Sequence, residues 1–211
     1  NGVLFLDELA EWDRRALEVL REPLESGVVT ISRAARQSEF PARFQLVAAM
    51  NPCPCGWSGD PSGRCRCSLE AIQRYRSRLS GPLMDRIDIQ LSVPRLAPHE
   101  MRSDAPRGES TELVRARVIA ARERQQRRCG KTNARLSQSE TENFCRLANR
   151  DQNLLERAME ALQLSARATH RILRVARTIA DLAGSENIES PHLSEAIGYR
   201  QLDRGQTRAV A

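Results

Sequence analysis

The feature that most constrains the fold is an apolar run that ends in two adjacent acids near the start of the chain. Val3-Leu4-Phe5-Leu6 is followed directly by Asp7 and Glu8. A short, continuous apolar run bounded by polar residues is typical of a buried strand in a parallel sheet. In an α/β fold, ligands bind at the carboxyl edge of such a sheet. The run therefore predicts an α/β fold with two carboxylates at its ligand-binding edge.

Two adjacent carboxylates at a strand tip suit the hydrolysis of a nucleoside triphosphate. Asp7 would hold Mg²⁺, usually through water, and Glu8 would orient and partly deprotonate the attacking water. An acid at the end of a buried strand can also simply cap the helix that follows it. Both interpretations stay open on this pattern alone.

Composition and charge limit the classes of protein to which the chain can belong. Of its 211 residues, 40% are hydrophobic and 28% are charged, as in an ordinary globular protein. No apolar stretch approaches the ~20 residues of a membrane helix, so we expect no membrane partner and a cytoplasmic location. The 33 basic residues outnumber the 27 acidic ones, which is compatible with nucleic acid or phosphate ligands. Because the chain starts inside a core strand, we expect it to be the C-terminal portion of a longer protein.

The period of the apolar residues changes along the chain and divides it into two regions. Residues 1–94 are predicted to be α/β and residues 111–203 all helical, with a linker at 95–110 and a tail at 204–211. In the first region the pattern predicts helices at 12–24 and 69–79 and strands at 3–6, 28–32, 40–44, 44–50 and 87–93. In the second it predicts helices at 112–128, 140–149, 153–164, 166–182 and 191–199, the last with Ser190 as its N-cap.

A third polar group is expected at the same sheet edge as the two acids. Asn51 follows the strand predicted at 44–50, and the carboxyl ends of parallel strands meet at one edge. Its amide could hydrogen-bond both the attacking water and the γ-phosphate. The alternative is a turn-forming Asn that simply precedes Pro52.

Four cysteines form two Cys-x-Cys pairs separated by nine residues: Cys53, Cys55, Cys65 and Cys67. Thiolates that converge from the two ends of a short loop suit a tetrahedral zinc site, and the intervening Gly and Pro residues supply the turns. A structural ion is favoured over a catalytic one because nothing suggests an open ligand position. Disulfides are the alternative, and a cytosolic location disfavours them.

The helix predicted at 166–182 carries arginines and apolar residues on different stripes. At ~100° per residue, Arg167, Arg171 and Arg174 fall on one narrow stripe. The apolar residues fall on another, at Ile172, Val175, Ala176, Ile179, Ala180 and Ala183. A planar guanidinium suits bidentate phosphate contact, whereas a simple solvated face is the alternative.

Three segments resemble the magnesium-chelatase-like AAA+ ATPases, and most of all their ComM/YifB branch. They are Gly2 to Glu8, the AAMNPCPCG segment from Ala48 to Gly56, and Arg74 to Asp88. The similarity covers nearly the whole chain. It implies a partial AAA+ parallel-sheet core with a β-hairpin insertion, followed by an all-α lid. It also implies an ATP- and Mg²⁺-dependent homo-hexameric ring motor on DNA, with helicase or branch-migration activity in natural transformation and recombination.

The resemblance assigns roles to individual residues. Asp7 and Glu8 match the Walker B acids, and Asn51 matches sensor 1. Arg86 matches the arginine finger that reaches the nucleotide of the neighbouring subunit. Arg167, seven residues before Arg174, matches sensor 2, which contacts the γ-phosphate.

Without the resemblance, Arg86 would be interpreted as the partner of an adjacent acid. Asp85 and Asp88 are close enough in sequence to form that ion pair.

The hairpin predicted between strands 28–32 and 40–44 has a basic tip. In the resembling AAA+ proteins such hairpins project into the ring's pore and grip nucleic acid. Arg33 and Arg36 would then bind DNA phosphates without sequence preference. A basic tip that serves only solubility is the alternative.

Three classes of function remain open on the sequence. No Gly-x-x-x-x-Gly-Lys-Ser/Thr phosphate loop occurs in these residues, so we expect this chain alone to be inactive. A DNA motor is favoured for the intact protein. The alternatives are the motor subunit of a metal chelatase and a non-enzymatic, zinc-stabilised DNA-binding or scaffold module.

Overall fold

The chain forms two compact units, Asn1–Ile87 and Asp88–Ala211. The structure, a computed structural model, describes residues 2–33, 36–97, 100–102 and 108–200. No helix in this described part is both long and apolar enough to cross a membrane.

The first unit contains two separate pairs of strands. β1 (Gly2–Leu6) and the later β4 (Phe44–Ala48) run parallel, in a register that places Leu6 opposite Ala48. β2 (Val28–Arg33) and β3 (Arg36–Pro41) form an antiparallel hairpin in which Arg33 lies opposite Arg36. The parallel pair determines where the candidate site lies, because the chain leaves both of its strands at the same edge.

Four short α-helices accompany these strands: α1 (Arg14–Val19), α2 (Arg21–Ser26), α3 (Leu69–Arg76) and α4 (Gly81–Met84). Serine side chains start the last two, since Ser68 accepts the backbone N–H of Ala71 and Ser80 that of Leu83. The apolar side chains that these elements bury together are Leu6, Leu9, Leu17, Leu79 and Leu83.

Two predictions for the first unit were wrong in detail. The helix predicted at 12–24 is divided into α1 and α2, because Pro23 has no N–H with which to continue the helical hydrogen bonds. No strand forms at 87–93 within the described residues. The backbone N–H of Gln90 instead donates to the carbonyl of Tyr199.

The prediction that β1 and β4 are buried strands was also wrong. Leu6 is buried, but Val3 and Phe5 are 71% and 59% exposed, and Val47 is 44% exposed. Successive side chains of a strand point to opposite faces, and the core covers only one face of this two-stranded sheet. The other face of the pair is therefore apolar and open.

The second unit is helical throughout its described elements, as the sequence predicts. Its five α-helices are α5 (Thr111–Cys129), α6 (Gln138–Phe144), α7 (Asn149–Leu162), α8 (Ala166–Ala183) and α9 (Ser190–Gly198). The apolar stripe of α8 lies at the centre of their core, where Ile172, Ala176 and Ala180 are buried.

The helix ends follow ordinary capping chemistry. Ser110, Ser137 and Ser165 accept backbone N–H groups of the first turns of α5, α6 and α8. The prediction that Ser190 is the N-cap of α9 was wrong. Glu189 occupies that position, and the Ser190 hydroxyl donates instead to Asp151.

A buried polar network joins α5 to α8. The Asp181 carboxylate, fully buried, accepts Arg128 Nη1 at 3.1 Å and Asn133 Nδ2 at 2.8 Å. Arg177 Nη2 lies 3.1 Å from the same carboxylate and also donates to the Ser185 carbonyl at 2.6 Å. The hydrogen bond that Arg128 donates to the Asp181 carboxylate raises the pKa of Arg128. The buried carboxylate thus has two positive partners and an amide donor, which is the condition for burying an ionised acid.

Candidate functional site

The candidate site lies at the carboxyl edge of the parallel pair. Beyond the last strand residues, Ala49 donates to the Leu6 carbonyl at 2.9 Å and accepts the Leu9 N–H at 2.8 Å. These two bonds hold the segment after β1 against the segment after β4. The structure thus brings Asp7 and Glu8 to the same edge as Asn51.

Asp7 and Glu8 are both exposed, and hydrogen bonds with neighbouring residues fix the backbone conformation there. Asp7 Oδ1 accepts the N–H of Glu8 at 2.9 Å, and the Asp7 carbonyl accepts Trp12 Nε1 at 2.9 Å. Glu8 has φ 50° and ψ 44°, a left-handed conformation that costs an L-residue about 1–2 kcal/mol. Strained backbone of this kind is concentrated at functional sites. The turn therefore presents two carboxylates to solvent at a cost in stability.

Two residues of α3, Tyr75 and Arg76, hydrogen-bond to the backbone of Asn51 and Pro52. Tyr75 is buried, and that burial raises the pKa of its hydroxyl, with the carboxylate of Glu11 adding to the rise. A hydrogen bond from the backbone of Asn51 acts on that pKa in the opposite direction. Arg76 Nε donates to the Pro52 carbonyl at 3.2 Å. The sequence did not indicate either hydrogen bond. A tyrosine on an apolar helix face ordinarily packs in the core, and nothing in the pattern links Arg76 to Pro52.

The donor set at this edge fits a hard cation beside phosphate. Two carboxylates and a side-chain amide offer oxygen ligands, which Mg²⁺ prefers over nitrogen or sulfur. Asp7 is the residue that would hold the ion. The exposure of its side chain leaves room for the water that Mg²⁺ usually keeps.

Arg86 lies in the same unit and pairs within it. Its Nε and Nη2 donate to Glu25 Oε2 at 3.1 and 2.5 Å, and Nη1 donates to the Pro82 carbonyl at 2.7 Å. The Arg86 side chain is 9% exposed. The sequence pointed to Asp85 or Asp88 as the partner of Arg86 and did not indicate Glu25. Asp88 pairs with Arg171 at 2.6 Å. The structure thus shows Arg86 turned inward, connecting the end of α4 to α2.

The arginine stripe of α8 is not the open face that the helical wheel indicates. Arg171 is only 11% exposed and pairs with Asp88. Arg174 Nη1 donates to the carbonyls of Ala134 and Leu136, both at 3.3 Å, and burial lowers the pKa of Arg174. Of the three, Arg167 is the exposed one.

Arg167 occupies the first turn of α8, two positions after the N-cap Ser165. A cation there opposes the helix dipole, which disfavours it by a few tenths of a kcal/mol or more. Helix stability alone therefore does not favour an arginine at this position.

The basic hairpin is present, but its tip lies outside the described residues. The backbones of Arg33 and Arg36 are paired across the hairpin, and the Arg36 side chain is exposed. Residues 34–35 and the Arg33 side chain are not described. All of β3 is exposed, so the hairpin projects its second strand into solvent.

The four cysteines predicted as a metal site converge. The Sγ atoms of Cys53, Cys55, Cys65 and Cys67 all lie within 4.8 Å of one another. The N–H of Trp57 holds the pKa of Cys55 at about 6, and the neighbouring Cys55 raises the pKa of Cys67 to about 12. The thiols therefore already interact strongly with one another.

Comparison with known proteins agrees with this geometry. The family model for magnesium chelatase subunit ChlI matches residues 1–101, and the model for the ChlI C-terminal region matches residues 108–200. Competence protein ComM of Haemophilus influenzae is 51% identical over 205 residues, which is 97% of this chain. The proteins named YifB of Salmonella typhimurium and Escherichia coli are each 49% identical over the same length. The chain belongs to the magnesium-chelatase-like ComM/YifB family.

The curated ComM/YifB relatives are longer than this chain. The chain spans 40% of the length of each of these curated relatives. The two family models meet between residues 101 and 108, whereas the compact units of the structure divide at Ile87. The magnesium-chelatase-like family is one of AAA+ ATPases, which is consistent with a site built from Asp7, Glu8 and Asn51.

Proposed function

We propose that this chain is part of an ATP-driven, homo-hexameric ring motor that acts on DNA as a helicase or in branch migration during natural transformation. The observation that carries the proposal is the juxtaposition at one sheet edge of Asp7, Glu8 and Asn51, bridged by the two hydrogen bonds of Ala49. Carboxylates and an amide in this arrangement are what phosphoryl transfer to water needs.

Each residue of this edge has a distinct part in the proposed hydrolysis. Asp7 would bind Mg²⁺, which supplies Lewis-acid stabilisation of the phosphate oxygens when it is bound. Glu8 accepts a proton from the attacking water and orients that water toward the γ-phosphate. Asn51 donates its amide N–H to the same phosphate and accepts from the water with its amide oxygen. The remaining phosphate contacts belong to parts of the site that this chain does not contain.

Two arginines complete the proposed site from outside this edge. Arg86 would contribute in trans, stabilising the charge that develops on the γ-phosphoryl group of the adjacent subunit. To do so its guanidinium must leave Glu25. Arg167 would bind the γ-phosphate from the lid. Hydrolysis would therefore depend on assembly of the ring.

Arg86→Ala and Glu25→Ala separate a finger from a structural ion pair. If Arg86 acts in trans, its loss lowers kcat about 1,000-fold in the intact protein, as for other arginine fingers. Glu25→Ala removes the same ion pair but keeps the guanidinium, so its kcat should stay close to that of the wild type. Steady-state ATPase measurements on both variants test this. Equal losses in the two variants would assign the pair a structural role alone.

The family name admits a second candidate, the motor subunit of a metal chelatase, because the matching models describe ChlI. DNA distinguishes the two. The proposed motor should hydrolyse ATP several-fold faster when branched or single-stranded DNA is added to the intact protein. A chelatase motor should respond to its partner subunits and a tetrapyrrole instead. ATPase unaffected by any DNA would count against the proposed function.

The hairpin offers a sharper form of the DNA test. Removing two cations that contact phosphates should reduce the slope of log K against log[salt] by about 2. We therefore expect Arg33→Gln/Arg36→Gln to bind DNA more weakly at low salt and with a flatter salt dependence. The matched control, Arg150→Gln/Arg157→Gln, changes two exposed arginines of α7 and so has the same net charge as the hairpin variant. Titrations at several salt concentrations measure both slopes, and equal slopes in the two variants would remove the hairpin from the DNA interface.

A further inference from the structure

The segment between Asn51 and Ser68 lacks the usual means of holding a loop in place. No helix or strand forms between residues 51 and 67, and most of their side chains are exposed. Ordering a residue costs about 1–2 kcal/mol of backbone entropy, and a loop with little apolar burial cannot offset that cost. Small segments of this kind usually depend on a disulfide or a metal ion. The only clustered side chains suited to either role among these residues are the four cysteines.

The sulfur–sulfur distances fit a single tetrahedral ion. Cys53 Sγ lies 3.4 Å from Cys55 Sγ and 3.8 Å from Cys65 Sγ, and the last two are 3.7 Å apart. Four sulfurs at ~2.3 Å from a central Zn²⁺ lie about 3.8 Å apart. A disulfide would bring one pair to about 2.05 Å. The described cysteines are all free.

The backbone around the cluster is arranged as in metal–thiolate sites. Cys53 is fully buried, and its Sγ accepts the N–H of Ser58 at 3.3 Å. The Cys53 carbonyl accepts the N–H of Gly56, where φ is +78°, so the chain turns tightly between the first two sulfurs. Hydrogen bonds of this kind to a thiolate sulfur orient it toward a metal. The cysteines thus form a closed set of four ligands.

We propose that Cys53, Cys55, Cys65 and Cys67 bind one structural zinc ion, and that this ion fixes the loop that supports Asn51. Four thiolates favour Zn²⁺ over harder cations. All four positions of the tetrahedron are filled by protein, which leaves no open position for a substrate. Because the sulfurs surround one point, the site has room for one ion rather than for an iron–sulfur cluster.

The loop lies next to the candidate site. Asn51 lies only two residues before Cys53, and a Cβ added at Gly56 would lie 3.8 Å from Asn51 Oδ1. The effect on hydrolysis rests on the function proposed above, in which Asn51 contacts the water and the γ-phosphate. Metal binding itself does not depend on that function. A protein without ATPase activity could still hold the ion.

Elemental analysis of the intact protein tests the ion directly. We expect one zinc per chain in freshly purified protein, and none in Cys53→Ser/Cys65→Ser. The matched control is Cys129→Ser, which changes a cysteine of α5 outside the cluster and should keep the metal. Absence of zinc from the wild type, iron with labile sulfide, a disulfide among the four, or zinc retained in the double variant would each overturn the proposal.

Limited proteolysis tests the effect on the loop. Arg64, between the two cysteine pairs, and Arg66, within the second pair, are exposed trypsin sites. Removal of zinc by a chelator should accelerate cleavage at both by about tenfold or more, because local opening then becomes easier. Cleavage at Arg150 on α7 serves as the internal control and should not change. Equal cleavage rates at Arg64 with and without chelator would show that no ion fixes the loop.

Discussion

Glu8→Gln is expected to lower kcat for ATP about 100-fold or more in the intact protein while ATP still binds. A positioned general base contributes typically about 10²–10⁴-fold to a rate. Glutamine has nearly the same shape as glutamate but cannot accept the proton of the attacking water. Asp7, the proposed Mg²⁺ ligand, is unchanged, so nucleotide affinity should be retained. Steady-state ATPase and equilibrium nucleotide binding measure the two quantities separately.

The chain offers a matched control one turn of backbone away from that acid. Glu11 belongs to the same short segment after β1, but its carboxylate pairs with Arg78 Nη1 at 2.7 Å. Glu11→Gln should therefore hydrolyse ATP at a rate close to that of the wild type. If Glu8→Gln turned over ATP as fast as Glu11→Gln, Glu8 would not be the general base.

Asp181→Asn is expected to destabilise the helical unit by about 3–5 kcal/mol, because it removes the buried acid that pairs with the buried Arg177 and the partly buried Arg128. Arg128 and Arg177 both contact the Asp181 carboxylate, which is fully buried. Asparagine keeps the size of the side chain but leaves the positive charges uncompensated. Chemical denaturation followed by far-UV circular dichroism gives the free energy of unfolding.

An exposed ion pair on α5, the helix that carries Arg128, provides the comparison. Glu123 and Arg127 of α5 are 3.9 Å apart, with side chains 62% and 71% exposed. Glu123→Gln should cause no measurable loss, because water screens such pairs. A loss below about 1 kcal/mol for Asp181→Asn would show that the buried network adds little to stability.

Local sequence chemistry was sufficient for the helices of the second unit and for the meeting of β1 and β4 at one edge, but not for the strand predicted at 87–93. The helices of the second unit begin within a few residues of their predicted starts because the period of the apolar residues marks them, and serine side chains cap three of them, as at Ser165 before α8. Asp7 and Asn51 could be placed at one edge because the tips of parallel strands coincide. The cysteine cluster could be anticipated from spacing, since a short loop keeps the two cysteine pairs at its ends close together.

Burial could not be predicted in the same way, because it depends on distant parts of the chain. The apolar run of β1 shows that both of its faces are hydrophobic, but not which face another element covers, and Phe5 remains exposed. A helical wheel treats every arginine as polar. Arg174 is nevertheless largely withdrawn from water, since its long side chain reaches the carbonyls of residues before α6. Likewise, the i, i+4 spacing of Arg177 and Asp181 is visible in the sequence, whereas their burial against Arg128 is not.

The left-handed backbone of Glu8 limits which residues evolution can substitute there. Glycine adopts φ 50° freely, and asparagine tolerates it better than most residues, whereas valine, isoleucine and threonine are strongly disfavoured. Glu8→Gly should accordingly raise the melting temperature of the first unit even as it abolishes hydrolysis. A homologue that has given up nucleotide turnover is then expected to carry Gly or Asn at this turn. Relatives that keep the acid retain a local strain whose relief would cost them their chemistry.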